Sequence, residues 1–143
     1  MTKIILISHG MLAEGMANSI QMVAGKVDNL SWLSLHPGEE PETLYRQLEQ
    51  QIHDAPQFTY ILLTDIPGGS VNTALSKLCA LPHVFLVSGM NLGLALNVCL
   101  ASPNEDPSEY LPRCIEDAKE DILDINQWMH SETNKQGEEE FYD

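Results

Sequence analysis

The amino-acid sequence predicts an α/β protein, with an open, mainly parallel, doubly wound sheet and helices on both of its faces. Short apolar runs alternate along the chain with segments of helical periodicity, a pattern typical of parallel sheets flanked by helices. The runs that would form the central strands lack polar alternation, as expected where helices cover both faces. A chain of 143 residues, 43% of them hydrophobic, suffices for one core, so we expect a single folded domain over residues 1–130.

The first half of the chain contains two predicted strand-helix units. Residues 3–8 form the first strand, and the helix after it ends at Gly25, because glycine is common at helix C-termini. Residues 31–35 form the second strand, and its helix begins near Pro41 in a glutamate-rich turn. Apolar residues spaced by three or four predict the buried faces of these helices: Leu12, Met16, Ile20 and Val23 in the first, and Leu44, Leu48 and Ile52 in the second.

The second half continues this pattern and ends in a polar segment. Strands are predicted over residues 59–64 and 84–87, with a helix at 71–81 between them. From Pro107 a long helix is predicted by apolar residues that recur in steps of three and four: Leu111, Ile115, Ala118, Ile122, Ile125 and Met129. We expect this stripe to pack on the sheet or on another subunit. Residues 131–143 are polar, acidic and aperiodic, which predicts a flexible tail.

The composition argues against several classes of function. Seven basic and twenty-one acidic residues give a net charge of −14, which would repel nucleic-acid phosphates and anionic lipids. The sequence shows neither a signal-peptide pattern nor an apolar run of membrane-spanning length, so we expect a soluble, cytoplasmic protein. Cys79, Cys99 and Cys114 are widely spaced and indicate neither a disulfide framework nor a zinc site. We expect them to be small buried side chains.

Polar residues follow two of the predicted strands at the point where each strand ends. His9 follows the first strand, and Asp65 follows the third. Ligands of open parallel sheets bind where the strand order reverses, so a sheet of order 2-1-3-4 would bring these two residues together. A carboxylate that accepts the Nδ1 proton of an imidazole leaves the Nε2 lone pair free to attack phosphorus. We therefore expect His9 to be a nucleophile and Asp65 to orient it.

The segment after Asp65 has the composition of an anion-binding loop. Gly68 and Gly69 allow the backbone to approach a ligand closely, and Ser70 opens a helix whose free N–H groups favour an anion. The Ser70 hydroxyl is suited both to donate to a phosphoryl oxygen and to cap the helix, and the sequence leaves both roles open. Each residue alone is compatible with a structural role. Their joint occurrence with His9 is what indicates a phosphoryl site.

These motifs resemble those of the mannose-type enzyme IIA components of the bacterial phosphoenolpyruvate-dependent sugar phosphotransferase system (PTS). In that family the first strand ends in Thr/Ser-His-Gly, which residues 8–10 match, and a second loop has Asp-x-x-Gly-Gly-Ser, which residues 65–70 match. The resemblance covers about residues 3–129. Asn72 departs from members that have Gly-Gly-Ser-Pro-x-Asn, so the resemblance assigns it no role.

The resemblance implies a phosphotransferase component that carries a phosphoryl group on His9, with Asp65 as a catalytic partner and Gly68, Gly69 and Ser70 as phosphoryl-binding residues. Phosphate would come from the histidine-containing phosphocarrier protein and pass to a IIB component, which phosphorylates the sugar as the IIC/IID membrane permease imports it. The resemblance implies no metal and no cofactor. Relatives of this type are dimers, and together with the long apolar stripe this leads us to expect a homodimer. The transported sugar is left undetermined, because a IIA component does not touch it.

Two other functions remain open at this stage. A related phosphocarrier subunit serves dihydroxyacetone kinase and has a similar first histidine site, so transfer to a kinase subunit instead of a IIB component would distinguish it. A flavodoxin-like module that binds a nucleotide or flavin, without phosphoryl chemistry, is also compatible with the fold class. The sequence has neither a Walker motif nor a dinucleotide-binding glycine fingerprint, which argues against nucleotide binding.

Overall fold

A sheet of four parallel strands organises the computed structural model, which describes the backbone of residues 1–142 and the side chains of residues 1–135. The strands lie in the order β2-β1-β3-β4, as predicted. Their bounds are β1 (Thr2–His9), β2 (Leu30–Leu35), β3 (Thr59–Thr64) and β4 (Val84–Val87). Because β2 lies on one side of β1 and the later strands lie on the other, the order reverses between β1 and β3. The carboxyl ends of these two strands therefore form the switch point of the sheet.

Helices cover both faces of the sheet, which confirms the predicted α/β class. Within residues 1–142 they are α1 (Leu12–Ala24), α2 (Pro41–Asp54), α3 (Ser70–Leu75), α4 (Leu92–Cys99), α5 (Pro107–Glu120) and α6 (Ile125–Tyr142). None of the helices described is long and apolar enough to cross a membrane. The single helix predicted over 71–81 is divided, because α3 gives way to a 3-10 helix, Ser76–Ala80. At this change the Ser76 hydroxyl donates to the Thr73 carbonyl (2.7 Å), which competes with helical bonding.

Two apolar clusters lie on opposite faces of the sheet, because neighbouring residues of a strand point in opposite directions. One cluster joins alternate residues of β1 and β3 to α1, α4 and α5, and includes Leu6, Leu63 and Leu94. The other joins the remaining residues of these strands to α2 and α3, and includes Ile7, Leu62 and Leu75. The switch point is therefore held from both faces.

The buried face of α1 is rotated from the one predicted. Leu12 and Val23 were expected in the core but are 51% and 66% exposed, and Met16 is half-buried. Ile20 is buried as predicted, and the rest of the face consists of Ala13 and Ala17. Small alanine side chains allow α1 to lie close to β1 and β2, and a search for large apolar residues overlooks them. The predicted face of α2, with Leu44, Leu48 and Ile52, is confirmed.

The long C-terminal helix predicted from Pro107 to Met129 is interrupted. α5 ends at Glu120, and α6 begins after Asp124, whose Oδ1 accepts a hydrogen bond from the Gln127 N–H (3.2 Å). An aspartate in this position caps the start of a new helix. The apolar spacing continues across the junction and therefore did not indicate the break. The stripe is consequently divided, because Leu111 and Ala118 are buried whereas its members beyond α5 are exposed.

The predicted tail also differs from the structure. The backbone of α6 is helical through Tyr142, where the sequence predicted no regular structure beyond residue 130, and Asp143 lies outside the described residues. Glutamate, lysine and glutamine favour helix even without an apolar stripe. The Lys135 Nζ also lies 3.9 Å from Oε1 of Glu132, one turn earlier in the helix. Periodicity alone therefore missed the part of this helix beyond residue 130, where the composition is mostly polar.

The cysteine prediction is correct for one residue of three. Cys114 is buried, Cys99 is half-buried, and Cys79 is exposed in the 3-10 helix, where Leu78 takes the buried position. All three thiols are free. Burial raises the pKa of Cys99 to about 11, so this thiol stays protonated at neutral pH.

We predict that alanine substitutions at two positions of α1 distinguish the buried face seen in the structure from the buried face predicted from the sequence. Ile20→Ala removes a buried side chain and should lower the free energy of unfolding by about 2–5 kcal/mol. Val23→Ala changes an exposed residue and should alter it by less than about 0.5 kcal/mol. Urea denaturation measures both, and similar losses at the two positions would contradict the rotated face.

Candidate functional site

The candidate site lies at the switch point, where β1 and β3 end side by side. His9 is the last residue of β1, and Asp65 directly follows Thr64, the last residue of β3. The two strands pair in parallel, with Ile7 opposite Thr64. Adjacent parallel strands bring their carboxyl ends to the same edge of the sheet, so the topology alone places His9 beside Asp65.

Three hydrogen bonds hold the Asp65 carboxylate. Its Oδ2 lies 2.8 Å from His9 Nδ1 and also accepts the His9 backbone N–H at 2.9 Å. Its Oδ1 accepts the Ile66 N–H at 3.0 Å. An ionised carboxylate can only accept, so the His9 ring carries its proton on Nδ1. In the neutral ring the lone pair is therefore on Nε2, the nitrogen that points away from Asp65.

The two members of this pair differ in exposure and charge. The side chain of Asp65 is 9% exposed, whereas that of His9 is 44% exposed. Burial acts to raise the pKa of Asp65, but the hydrogen bonds from the His9 backbone, the His9 ring and the Ile66 N–H outweigh it and hold the pKa below its usual value. Asp65 is thus a nearly buried, ionised acceptor at neutral pH, whereas the imidazole of His9 is close to half exposed.

Ser70 lies on the open side of the imidazole. Its Oγ is 3.4 Å from His9 Nε2, and it is the first residue of α3. Gly69 is the N-cap residue, and no side chain caps this helix. Of the two roles that the sequence left open for Ser70, capping is therefore excluded. Its hydroxyl faces the nitrogen at which a group would be bound.

The first turn of α3 leaves backbone donors beside the imidazole. The Thr73 N–H donates to the Gly69 carbonyl (2.9 Å), which is the first backbone bond of the helix. The N–H groups of residues 70–72 precede that bond and have no backbone acceptor among the described residues. They are available to an anion bound between Ser70 and His9.

The two glycines of the loop are required for different reasons. Gly68 has φ +71°, in the left-handed region that side chains disfavour. Gly69 has an ordinary φ of −73°, but a Cβ there would lie 3.1 Å from Ile66 Cγ1 and 3.6 Å from His9 Cε1. Gly68 therefore makes the turn, and Gly69 leaves room for the Ile66 side chain, whereas the imidazole would be in ordinary contact with such a Cβ.

The structure brings together all five residues that the sequence singled out, His9, Asp65, Gly68, Gly69 and Ser70. Sequence reasoning missed three others that support them. Ser8 and Thr64 carry buried hydroxyls directly before His9 and Asp65, and Asn72 bonds to Thr64. The available signal was a hydroxyl residue at the end of an apolar strand, immediately before a polar residue.

Comparison with known proteins gives the family of the chain. Residues 3–113 match the family model described as the PTS system fructose IIA component. The PTS sorbose-specific EIIA component of Klebsiella pneumoniae is 31% identical over 99 residues, which cover 68% of this chain and 73% of that protein. The PTS mannose-specific EIIAB component of Escherichia coli K12 is 28% identical over 123 residues, or 83% of this chain. That alignment spans 38% of the relative, so the chain matches well under half of its length.

A solved structure agrees with this assignment. The PTS IIA protein associated with the fucose utilization operon of Streptococcus pneumoniae has a TM-score of 0.78 and 26% identity, covering 90% of this chain and 96% of that one. The fold and site define a doubly wound α/β domain with an exposed histidine and a glycine loop at its switch point. The chain belongs to the PTS IIA component family, of the type that includes mannose, sorbose and fructose components, and this confirms the resemblance.

We predict that three glycine substitutions have different effects. Gly69→Ala should shift the NMR resonance of the His9 Cε1 proton, because the new methyl group would lie 3.1 Å from Ile66 Cγ1 and force that neighbouring side chain to move. Adding Ile66→Ala should reverse most of that shift, since the closest contacts are to Ile66 Cγ1 and Cδ1. Gly68→Ala should instead destabilise the fold by about 1 kcal/mol through its φ.

Gly15→Ala in α1 is the matched control for these glycine variants. A Cβ there meets nothing within 4 Å, so this change should raise the free energy of unfolding by up to about 1 kcal/mol and leave His9 unchanged. A His9 shift in Gly69→Ala that persists without the Ile66 side chain would contradict the steric account.

Proposed function

We propose that this chain is a phosphoryl carrier of a sugar PTS. His9 would accept a phosphoryl group from the histidine-containing phosphocarrier protein and pass it to a IIB component. The observation that carries the proposal is the half-exposed His9 imidazole, with Nδ1 at 2.8 Å from a nearly buried carboxylate and Nε2 at 3.4 Å from the Ser70 hydroxyl. The family supplies the sugar phosphotransferase context. The geometry supports a nucleophilic histidine within it.

In the proposed step, the Nε2 lone pair of His9 attacks the phosphorus carried by the donor protein. A new P–N bond forms as the P–N bond to the donor histidine breaks, and the donor nitrogen leaves with the bonding electron pair. Since Nε2 carries no proton, no proton need leave it, and the Nδ1 proton stays shared with Asp65. The ring becomes cationic as the bond forms, and the adjacent carboxylate stabilises that charge.

The loop would stabilise the bound phosphoryl group. Ser70 Oγ lies 3.4 Å from Nε2, within reach of a phosphoryl oxygen on that nitrogen. The N–H groups of the first turn of α3 supply further donors, and Gly69 keeps the approach open. The proposed roles are thus His9 as nucleophile, Asp65 as its catalytic partner, and Gly68, Gly69 and Ser70 as phosphoryl-binding residues.

The relatives suggest the place of this carrier among other PTS proteins. The Escherichia coli relative carries IIA and IIB parts in one EIIAB component, and this chain aligns with 38% of it. We infer that residues 1–130 act as a IIA domain whose phosphoryl acceptor is a IIB component. In this scheme the chain works in the cytoplasm and reaches the IIC/IID permease only through IIB.

We further propose that the chain forms a homodimer through the residues at the junction of α5 and α6. Ile122, Leu123, Ile125, Trp128 and Met129 are each 47–78% exposed, a set of large apolar side chains within eight positions. We call these five residues the junction patch. Such a cluster is unfavourable in water unless another surface covers it. A second copy of this chain brings the same patch and covers both at once.

We predict that phosphorylation of this chain is specific to His9. Incubation with phosphoenolpyruvate, enzyme I and the phosphocarrier protein should add one phosphoryl group by intact mass, and His9→Ala should abolish the addition. The expected P–N bond is lost in acid and survives base, whereas a phosphoserine behaves in the opposite way. An acid-stable product, or labelling of His9→Ala, would refute the proposed carrier. Transfer onward should require a IIB component, and transfer to a kinase subunit instead would favour the dihydroxyacetone kinase alternative.

We predict that two variants divide the roles of the partners of His9. Asp65→Asn should preserve the fold and slow transfer, because an amide accepts the Nδ1–H but gives the cationic ring no negative charge. Ser70→Ala should lower the transfer rate by about tenfold or more, since a hydrogen bond to a charged group contributes about 1.5–3 kcal/mol. Rapid-quench measurement of single-turnover rates tests both. Wild-type rates in Asp65→Asn would remove the carboxylate from the mechanism.

We predict that charge introduced into the junction patch dissociates the dimer. The wild-type chain should have a dimeric mass in light scattering at micromolar concentration, and Ile122→Glu with Trp128→Glu should give the monomer. Met22→Glu is the matched control, because Met22 is at least as exposed (87%) but lies on α1. A monomeric wild-type chain, or dissociation by the control alone, would contradict this assignment.

A further inference from the structure

Two small polar side chains among the described residues are completely buried, those of Ser8 and Thr64, each with 0% exposure. Ser8 immediately precedes His9, and Thr64 immediately precedes Asp65. A buried hydroxyl lowers stability unless it is hydrogen-bonded, and an aliphatic side chain of similar size avoids that penalty. Their placement behind both members of the pair calls for an explanation beyond packing.

The Ser8 hydroxyl connects the end of β1 to the start of α1. Its Oγ accepts the Ala13 N–H at 2.8 Å and donates to the Gly10 carbonyl at 3.3 Å. Met11 is the N-cap residue of α1, and its side chain makes no capping hydrogen bond. Ser8 therefore supplies the acceptor that an N-cap side chain would ordinarily provide. The turn that carries His9 is closed by this contact.

The Thr64 hydroxyl makes the equivalent connection from β3 to α3. Its Oγ1 donates to Asn72 Oδ1 at 3.0 Å, and the Thr64 carbonyl accepts the Met90 N–H at 2.9 Å. α3 has Gly69 as its N-cap residue and no side-chain cap. The pair Thr64–Asn72 thus joins the two ends of the segment that carries Asp65, the glycines and Ser70.

The two connections lie on opposite faces of the sheet. By the alternation of β1, Ser8 shares its face with Leu6, which packs with α1. By the alternation of β3, Thr64 shares its face with Leu62, which packs with α3. Each strand end is therefore fixed to a different layer of helices. These two contacts act in addition to the β1–β3 pairing, which extends to Ile7 and Thr64.

We propose that Ser8 and Thr64, the latter through Asn72, are positioning residues that set the alignment of His9 with Asp65. Asp65 Oδ2 accepts two bonds from His9, at 2.8 and 2.9 Å, so a shift of either strand end weakens both. The contribution to transfer rests on the proposed carrier function, but the effect on the His9 proton does not. With Asp65 aligned, that proton stays on Nδ1. With the alignment lost, the neutral ring divides its proton between the two nitrogens.

The first measurement reads this proton directly and requires no phosphoryl donor. Long-range ¹H–¹⁵N spectra at about pH 8.5, well above the ordinary histidine pKa, report which ring nitrogen carries the proton. Wild-type His9 should be almost entirely in the Nδ1–H form. Ser8→Ala, Thr64→Val and Asn72→Ala should each raise the Nε2–H population several-fold, and Thr64→Ser should restore the wild-type spectrum because it keeps the hydroxyl.

The second measurement is the single-turnover rate of phosphoryl transfer to the same variants. Each of the three substitutions should slow transfer about tenfold, since misplacement of a reacting group by about 1 Å can lower a rate roughly 100-fold. Thr64→Val with Asn72→Ala should be no slower than the slower single variant, because both remove the same contact. The matched controls are Ser19→Ala on α1 and Thr73→Val on α3, which remove hydroxyls that make no hydrogen bond among the described residues. Both should behave as wild type.

The outcomes separate this proposal from the carrier function and from simple destabilisation. Unchanged His9 proton populations in all three variants would overturn it, even if thermal stability fell. Slower transfer without a change in the proton population, or without rescue by Thr64→Ser, would also overturn it, because that is the pattern of a merely structural role. A wild-type chain that accepts no phosphate would refute the carrier, while the NMR result would still decide whether Ser8 and Thr64 position His9.

Discussion

The hydrogen bond between His9 Nδ1 and Asp65 Oδ2 is the contact on which the site depends. It joins residues 56 positions apart in the chain, and the sheet topology alone brings them together. The strand order reverses between β1 and β3, so the loops after these strands diverge to opposite faces and leave an open crevice between them. A histidine and an aspartate placed at those two ends meet at the mouth of the crevice. The rest of the site is built from the loop that follows the aspartate.

The two groups need different environments, and the crevice supplies both. A carboxylate orients an imidazole best when water does not compete for it, and Asp65 is nearly buried and held by three N–H groups. A nucleophile that must meet a group on another protein has to be exposed, and the His9 side chain is close to half exposed. The strand end places the carboxylate below the surface and the imidazole at it. The backbone N–H of His9 adds a contact to Asp65 that does not depend on the ring.

The parts of this fold that were predictable are those where local pattern and tertiary constraint agree. Unbroken apolar runs allowed β3 and β4 to be predicted to the residue, although β4 is an edge strand and only Val84 in it is fully buried, and the motifs at the strand ends identified the site. The buried face of α1 was misjudged because Ala13 and Ala17 give a weak apolar signal although they make the closest packing. The break at Asp124 was missed because apolar spacing continues through it while a capping bond interrupts the helix. Thr64 and Asn72 could not be paired from sequence, because their contact depends on the path of the loop between them.

The loop between Asp65 and Ser70 is short, has two glycines, and has no side-chain cap at the helix that follows it. The two glycines give this segment conformational freedom, whereas Pro67 fixes its own φ and favours a turn with Gly68 at positive φ. Hydrogen bonds at its ends add further order: Asp65 is bonded to β1, and Asn72 is bonded back to the last residue of β3. This arrangement leaves Gly69 free of its own side-chain contacts, so the imidazole and an incoming anion can both approach it closely. The loop is thus held at both ends and has no side chain at Gly69. It therefore provides both a fixed carboxylate and an accessible anion site.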